Sequence, residues 1–515
     1  GLASVDYKTG VQANKGGDTV VDKDVQGVKV IVSNANITTS GAATIKANAK
    51  TDATITVGTA AAGAVSVGST VGVLDVKRNS GVNITGGTIS ANNLTVGSDQ
   101  SGTATVDVYQ AAASGANFGL FYSGVKLQGQ NDININGAQL SGTNGVAITT
   151  NDTTTASLQT IGGSFALTEN ANIFVVDGKN ESSSKITVNS GGEGENKKDS
   201  EIKAENGDVV ITAKHGDGTT KTMSANIIPV SVAGVASGLG FNAMVEDNSI
   251  TAVDIKDNQQ FTAKNNVNIN AENNSVNEVT SVAANAALGV AVGATGVQAK
   301  GKATSKLTVG SNNTFTGNTV NLGAKANVNN KASITSIGAG FGNFMVNWAT
   351  ANGGTDVDVN IGYNTYNTEN VNIKGESVIT QDAHAQGFTT GMYTSGTNLA
   401  KADSNEDVDV TVGGNKSNDK NNVKIEAKGT INQNVDSQGY GGAYFDVSPA
   451  AAITKSNIAS KTNAKVTGTW AAKTMDVSAV HDNNVTLKTD AIKAAAVGLS
   501  GVWSFSDVLN NTGVT

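Results

Sequence analysis

A short phrase of alternating apolar and polar residues, Val267-Asn268-Ile269-Asn270-Ala271, decides the fold class because it returns at a nearly fixed interval. Clear copies begin at Val320, Val371, Val423 and Met475, so successive starts lie 53, 51, 52 and 52 residues apart. Weaker copies begin at Ala43, Leu94, Val146 and Val209, which gives nine starts in all. A fixed period of this length indicates a repeat protein.

The phrases alternate with period two and are rich in β-branched residues, and Gly and Asn interrupt them, which predicts β-strands separated by tight turns. A second phrase of the type Leu307-Thr308-Val309-Gly310 closes the unit 41 or 42 residues after the opening residue in the regular copies. No window shows the spacing of an amphipathic helix. We therefore predict an all-β protein, a right-handed parallel β-helix (β-solenoid) built from repeats of about 52 residues.

Composition narrows the protein class. The chain has 515 residues with 61 Gly, 2 Pro and no Cys, and only 15% of its residues are charged, against about 25% in an average soluble domain. This composition suits a stack of repeats whose core is filled by small and β-branched side chains and whose turns carry stacked Asn ladders. The net charge of −8 and the single arginine, Arg78, exclude a basic nucleic-acid-binding surface. No apolar run reaches membrane-spanning length, and the longest, Ala283 to Val297, is interpreted as a core strand.

Two arrangements of the repeat are open. Because 52 residues is long for one coil, two coils of about 26 residues each are favoured. The alternative is one small sandwich per repeat, strung like beads, against which the even spacing and the absence of Pro-rich linkers argue. We predict that residues 1–41 form a partial leading repeat or N-terminal edge. Residues 42–515 are predicted to be one continuous solenoid of about nine repeats.

A charged loop insertion is predicted near residues 185–208. The interval from Val146 to Val209 is 63 residues, and the stretch from Gly191 to Asp208 is rich in Gly and charged residues. Its start, Gly191-Gly192-Glu193-Gly194-Glu195-Asn196, has the composition of a calcium-binding nonapeptide but occurs once. Such motifs work as tandem arrays, so we interpret the stretch as a surface loop.

Four aspartates are the candidate metal ligands. Asp356 and Asp358 align with Asp407 and Asp409 one repeat later, so four carboxylates are expected on one face. Calcium binding is the favoured functional interpretation, because stacked like charges are unfavourable without a cation. The alternative functional interpretation is a glycosidase-like pair of acids. The interpretation without a function is that the four aspartates lie on a solvent-facing strand edge. No other metal or cofactor is predicted.

The histidines and tryptophans give weaker signals. His215, His384 and His481 lie at different phases of the repeat, which predicts surface or turn positions rather than a catalytic or zinc site. Trp348, Trp470 and Trp503 follow or end the Ala/Gly-rich segments, where core or cap packing is favoured over a platform for carbohydrate. No nucleophile elbow, phosphate-binding loop or metalloprotease motif occurs, so we do not expect an enzyme.

The strand phrase, the segment SVAANAALGVAVGATGV (residues 281–297) and the T-V-G-x-N turn together resemble the repeats of very large bacterial exoproteins. These are the leukotoxin-like and filamentous-haemagglutinin-like passengers of type V secretion, and the resemblance covers about residues 28–515. It implies a Gram-negative-type envelope, secretion through an outer-membrane barrel and a location outside the cell or on its surface. It also implies a long right-handed β-helix acting as an adhesin, stalk or toxin.

We therefore expect a fragment of a large extracellular surface adhesin or filament, acting as a rod in attachment or aggregation. The expected partner is a receptor or glycan on a host or neighbouring cell, with self-association into fibres as a further expectation. The alternatives are a leukotoxin-like secreted cytotoxin and a self-assembling surface fibre or layer subunit. An enzyme acting on polysaccharide ranks last, because arginine and aromatic residues are scarce.

Overall fold

A computed structural model describes residues 2–8, 27–192, 197–416 and 420–515 of the chain. These residues form twenty-two β-strands and no helix, and therefore contain no helix that could cross a membrane. The strands are β1 (Leu2–Lys8), β2 (Val28–Ser33), β3 (Asn36–Thr38), β4 (Ala42–Lys50), β5 (Ala53–Thr85), β6 (Thr88–Asn136), β7 (Gln139–Ala166), β8 (Glu169–Asn189), β9 (Glu201–Ala204), β10 (Val209–His215), β11 (Met223–Ala233), β12 (Ala236–Asp247), β13 (Ile250–Ile255), β14 (Gln260–Ala263), β15 (Asn266–Ala287), β16 (Val290–Val309), β17 (Thr314–Thr316), β18 (Thr319–Ile361), β19 (Thr365–Asn367), β20 (Asn370–Val412), β21 (Asn422–Val466) and β22 (Thr474–Val514).

The nine phrase starts form a single column of paired residues. Val267 pairs with Val209 on one side and with Val320 on the other, and the column runs from Ala43 to Met475. Every pairing between these strands is parallel and connects residues about one repeat apart. The predicted repeat and its register are therefore confirmed, and each repeat forms one layer of a continuous stack, an arrangement consistent with a solenoid.

The prediction of two 26-residue coils per repeat is wrong. Val267 pairs with Val320, 53 residues later, and burial alternates without a break along the 22 residues of β15. No turn interrupts β15, and its inward positions in mid-strand are occupied by the buried polar residues Asn273, Ser275 and Asn277. Separate sandwiches are excluded as well, since neighbouring repeats pair along almost the full length of their strands.

The layer that contains residues 266–318 shows the plan of the stack. β15 runs outward, the chain bends at Leu288 and Gly289, and β16 returns to the short strand β17. The two long strands face each other, as Asn285 Nδ2 donates to the Val292 carbonyl at 2.8 Å and Ser305 Oγ donates to the Ala271 carbonyl at 2.8 Å. At about 3.3 Å per residue, a 22-residue strand spans roughly 70 Å. Each layer is therefore flat and wide rather than a narrow column.

Identical side chains stack in the apolar interior. Ile148, Ile211 and Ile269 are direct neighbours in successive layers, and all three are fully buried. Burial of such a side chain stabilises the fold by roughly 1.5–3 kcal/mol, and the stack repeats this contribution layer by layer. An aromatic column continues the same core beneath the short strands. It consists of Phe261, Phe315, Tyr366 and Trp470, with ring centroids 5.2, 5.4 and 5.8 Å apart.

Asn ladders connect the layers, as predicted from composition. Asn321 Nδ2 donates to Asn268 Oδ1 at 2.7 Å, and Asn321 Oδ1 accepts from Asn372 Nδ2 at 2.9 Å. At the turn before the short strand, the backbone N–H of Asn313 donates to Asn364 Oδ1 at 2.8 Å. These hydrogen bonds repeat from layer to layer and so contribute to the register between repeats.

The predicted loop insertion near residues 185–208 is much shorter in the structure. Strand β8 continues to Asn189, and β9 (Glu201–Ala204) pairs with β7 and β14 in the core of the stack. Ile202 is fully buried, and its apolar side chain explains why this part of the charged stretch folds inward. Residues 193–196, which hold most of the nonapeptide-like motif, lie outside the described residues. A second insertion, at residues 216–222, accounts for the 58-residue interval between Val209 and Val267.

The leading segment stacks on the first complete layer. Strand β1 pairs with residues 71–77 and β2 pairs with residues 80–85, both within β5. Strands β3 and β4 pair with β6. Residues 28–38 therefore have the position of the end of a repeat, and β4 opens the first repeat of the column.

Candidate functional site

A belt of buried polar side chains crosses the interior between the two large apolar clusters, one around Ile148 and Val267 and the other around Phe121 and Leu158. Its members point inward from the middle of the long strands and recur in each layer. We call these residues the polar belt: Arg78, Gln100, Asp152, Asn180, His215, Asp247, Asn273, Asn277, Asn330, Gln381, Glu406, Gln433 and the side chain of His481. Buried polar groups destabilise a fold unless they are paired, so each member of the belt requires a partner.

Four charged side chains form the first ionic cluster of the belt. Arg78 Nη2 lies 3.6 Å from Asp152 Oδ1, and His215 Nδ1 lies 3.3 Å from Asp152 Oδ2. On the other side of the ring, His215 Nε2 lies 3.6 Å from Asp247 Oδ2. The four side chains are between 0 and 2% exposed. With His215 protonated, the two positive and two negative charges balance.

Hydrogen bonds hold both carboxylates of this cluster. The backbone N–H and the hydroxyl of Thr154 donate to Asp152 Oδ1 at 3.0 and 2.7 Å. Asn180 Nδ2 and the backbone N–H of Ser249 donate to Asp247 Oδ1 at 3.0 and 3.2 Å. These donors fix the carboxylates so that their second oxygens face the histidine ring.

The cluster favours the charged form of His215. Burial by itself lowers the pKa of His215, but the hydrogen bonds and charges of Asp152 and Asp247 outweigh it and raise the pKa to about 10. Burial likewise opposes ionisation of Asp152, yet Arg78 and His215 hold the pKa of this carboxyl well below its usual range. Burial lowers the pKa of Arg78, and the charge of Asp152 partly offsets that effect.

A second ionic pair lies near the other end of the stack. His481 Nδ1 is 3.2 Å from Glu406 Oε2, and His481 Nε2 is 2.8 Å from Asn483 Oδ1. Burial raises the pKa of Glu406, and His481 only partly opposes this change. Burial also acts to lower the pKa of His481, but the hydrogen bond and the charge of Glu406 outweigh it, so that this pKa is raised.

Glycines make room for the largest polar side chains of the belt. A Cβ added at Gly429 would lie 1.8 Å from Glu406 Oε1 and 2.4 Å from His481 Nδ1. A Cβ at Gly353 would lie 1.7 Å from Gln381 Nε2. The belt is therefore packed by pairing a large polar side chain with a residue that lacks a side chain.

The prediction that all three histidines occupy surface or turn positions is wrong for two of them. His215 is 1% exposed and the His481 side chain is 2% exposed, both inside the belt. Only His384 fits the prediction in part, since its side chain is 29% exposed and pairs with Asp436 at 3.2 Å. Both buried histidine side chains therefore form part of the packed interior.

The candidate calcium ligands lie together on an outer face, as the alignment predicted. Asp356 pairs with Asp407, and Asp358 pairs with Asp409. Lysines on both sides form ion pairs with them: Lys306 Nζ lies 3.2 Å from Asp356 and 2.6 Å from Asp358, and Lys461 contacts both aspartates of the next layer. Burial and the nearby Asp409 raise the pKa of Asp407, although Lys461 opposes them.

This geometry gives a calcium site no support. No group of three or more His, Asp or Glu side chains in the described part of the chain is arranged to hold a metal ion. The two lysines supply part of the counter-charge for which a cation was invoked. The calcium assignment of the four aspartates stays a prediction.

The three tryptophans differ in role. Trp470 is a core residue, since it stacks on Tyr366 and its Nε1 donates to the Gly413 carbonyl at 2.5 Å. Trp348 lies over Gly296, where a Cβ would collide with its ring. Trp503 remains 44% exposed on β22. Only Trp470 continues a regular column of aromatic side chains.

The edge at which the two long strands meet is apolar and exposed. We call it the apolar edge, and it comprises residues 60–69, 111–120, 163–173, 230–240, 282–294, 335–346 and 387–397. Leu288 is 84% exposed, Leu167 is 67% exposed and Phe341 is 54% exposed. The interpretation of Ala283 to Val297 as a core strand is correct only in part: Ala283, Ala291 and Val297 are buried, but the segment contains the bend and exposed residues at the ends of two strands.

Comparison with known proteins gives no relative for this chain. No family model, no curated protein and no solved structure matches it.

Proposed function

We propose that this chain is the structural section of a large bacterial surface adhesin or filament, secreted by a type V route and displayed outside the cell. In this proposal the stack is a right-handed β-solenoid that continues through further repeats of the same kind. The observation that supports it best is the unbroken parallel register of nine repeat starts, from Ala43 to Met475. Such a stack lengthens by addition of repeats and holds binding surfaces away from its point of attachment.

Three features support a scaffold over an enzyme or a metal-binding module. The buried charges of the polar belt are inaccessible, the exposed aspartates are paired with lysines, and the side chains on each outer face repeat from layer to layer. Repetition of one surface along a stack suits multivalent contact, in which many weak contacts give high avidity. The partner in this proposal is a receptor or glycan on a host or neighbouring cell.

Binding to cells tests the proposal. Fluorescent beads coated with the folded chain are expected to bind epithelial or bacterial cells, or a defined class of glycan, in proportion to coating density. Beads that carry an unrelated β-rich protein of similar net charge are the control. Binding no greater than the control on every surface would contradict the adhesin proposal, and lysis of the cells would favour the secreted cytotoxin instead.

A further inference from the structure

The apolar edge is continuous along the stack rather than scattered. In the returning strands, Val67, Phe118 and Ala171 are direct neighbours in successive layers, and Val292 and Phe344 continue the same column after Gly238. In the outgoing strands, Ile337, Phe388 and Tyr440 form a second column, in which the rings of Phe388 and Tyr440 stack at 4.9 Å. The two columns flank the bend, so one apolar strip follows the seven layers that define the edge; in the ninth layer Lys493, the neighbour of Gly441, brings a charge to the same edge.

The strip is larger than a monomer normally exposes. Aromatic side chains carry roughly 150–250 Å² each, so a strip of half-exposed large apolar residues over seven layers presents on the order of 1,000 Å². Apolar patches on monomeric proteins rarely exceed a few hundred Å². A stable protein interface buries about 800 Å² on each partner, which the strip can supply.

Charge decides between a protein partner and a membrane. Glu169 is the only charged residue in the seven ranges that define the edge, and no lysine or arginine lies among them. Surfaces that lie on anionic membranes are rich in Lys and Arg, which this edge lacks. An uncharged face can meet an identical face without like-charge repulsion, whereas the opposite edge, with Lys256, Asp257 and Lys264, would repel its copy.

We propose that the apolar edge binds the same edge of a second copy of this chain, so that two stacks associate side by side. The contact is isologous: one strip covers the other, and both become buried. Because layers repeat at the same spacing in both copies, side chains of one strip fit between those of the other along its length. This inference concerns assembly and does not depend on adhesion to cells.

Sedimentation velocity over a wide range of chain concentrations tests the proposal. The test variant carries Leu288→Glu, Phe341→Glu and Phe344→Glu at exposed positions of the edge. The control carries Asn265→Glu, Asn318→Glu and Asn367→Glu, which add the same charge at exposed positions on the opposite edge. Wild type and control are expected to form dimers, and the test variant is expected to associate at least about 100-fold more weakly, because charges would be buried unpaired.

A single-cysteine experiment distinguishes side-by-side from end-to-end contact. The chain has no cysteine, and Leu288 lies in the fifth of nine repeats, so a two-fold axis through the middle of the stack brings it close to its own counterpart. Leu288→Cys is expected to form a disulfide-linked dimer under mild oxidation, whereas Asn318→Cys on the opposite edge is not.

Three results would overturn the proposal. These are a wild type that stays monomeric at every concentration, a folded test variant that associates like the wild type, or equal cross-linking by the two cysteines. Flotation of a monomeric wild type with neutral phosphatidylcholine vesicles, lost in the test variant, would assign the edge to lipid instead. Circular dichroism and thermal unfolding of each variant verify that it is folded.

Discussion

Replacement of Asp152 by Asn should destabilise the stack strongly although it changes almost no volume. Asp152 is fully buried between Arg78 and His215, and it accepts two hydrogen bonds from Thr154. The amide keeps one acceptor oxygen but removes the charge, which leaves Arg78 buried with no carboxylate beside it. Removing one partner of a buried ion pair costs about 3–5 kcal/mol. We expect a loss of this size for Asp152→Asn.

The matched control is Asp358→Asn, the same chemical change on the outer face. Asp358 is 41% exposed and paired with Lys306, so its replacement should change stability by about 0–1 kcal/mol. Urea unfolding followed by circular dichroism gives the overall change, and hydrogen exchange read by mass spectrometry shows whether the loss is confined to layers around β7 and β10. Equal, small effects of the two substitutions would refute the inference that the belt is held by its charges.

Further predictions concern the belt and the outer face. Because the folded-state pKa of His215 is about 10, above its unfolded value of 6.5, its contribution to stability is complete below pH 6.5 and is lost as the pH rises to about 10. The difference in unfolding free energy between the wild type and His215→Gln should therefore shrink over that interval, and a constant difference would contradict it. Gly429→Ala should cost about 1–3 kcal/mol, because the new Cβ collides with Glu406, while Gly442→Ala, whose nearest neighbour would be 4.0 Å away, should be neutral by urea unfolding. Millimolar calcium or a chelator should leave the melting temperature unchanged, because Lys306 and Lys461 each already form ion pairs with two of the four aspartates; a rise with calcium would support the metal interpretation.

Register was predictable from the sequence because stacking in a repeat protein acts on equivalent residues. Alignment of the phrases that begin at Val267 and Val320 places residues together that are direct neighbours in the structure. The number of coils per repeat was not predicted correctly, because the length of the alternating pattern was underestimated. Inward Asn and Ser residues such as Asn273 and Ser275 break the apolar pattern without breaking the strand.

The sequence contained a pattern that predicts the buried charged residues, although the overall composition obscured it. His215 lies six residues after Val209, and Asp152 lies six residues after Val146, so both have the inward parity of the strand. Counting by two from each start would have placed them in the core. What the sequence could not show was which returning strand supplies their partners: Asp247 comes from the returning strand of the same layer as His215, whereas Arg78 comes from the returning strand two layers before that of Asp152.

The exposed edge was hidden for a related reason. Small and apolar residues such as those from Ala283 to Val297 have the composition of a core, and only the position of the bend at Leu288 shows that part of this segment, including Val290 and Val292, faces solvent. The position of the turn depends on the number of coils per repeat. The wrong number of coils therefore led to the wrong position for the turn.

The number of layers per repeat is the central claim, and one distance tests it directly. Thr95 and Lys424 lie in one column, six layers apart, and the chain has no native cysteine that would compete for labels. With layers about 4.8 Å apart, spin labels on Thr95→Cys and Lys424→Cys should give an electron–electron distance near 30 Å. A distance near 60 Å would mean two coils per repeat and would contradict the fold described for this chain.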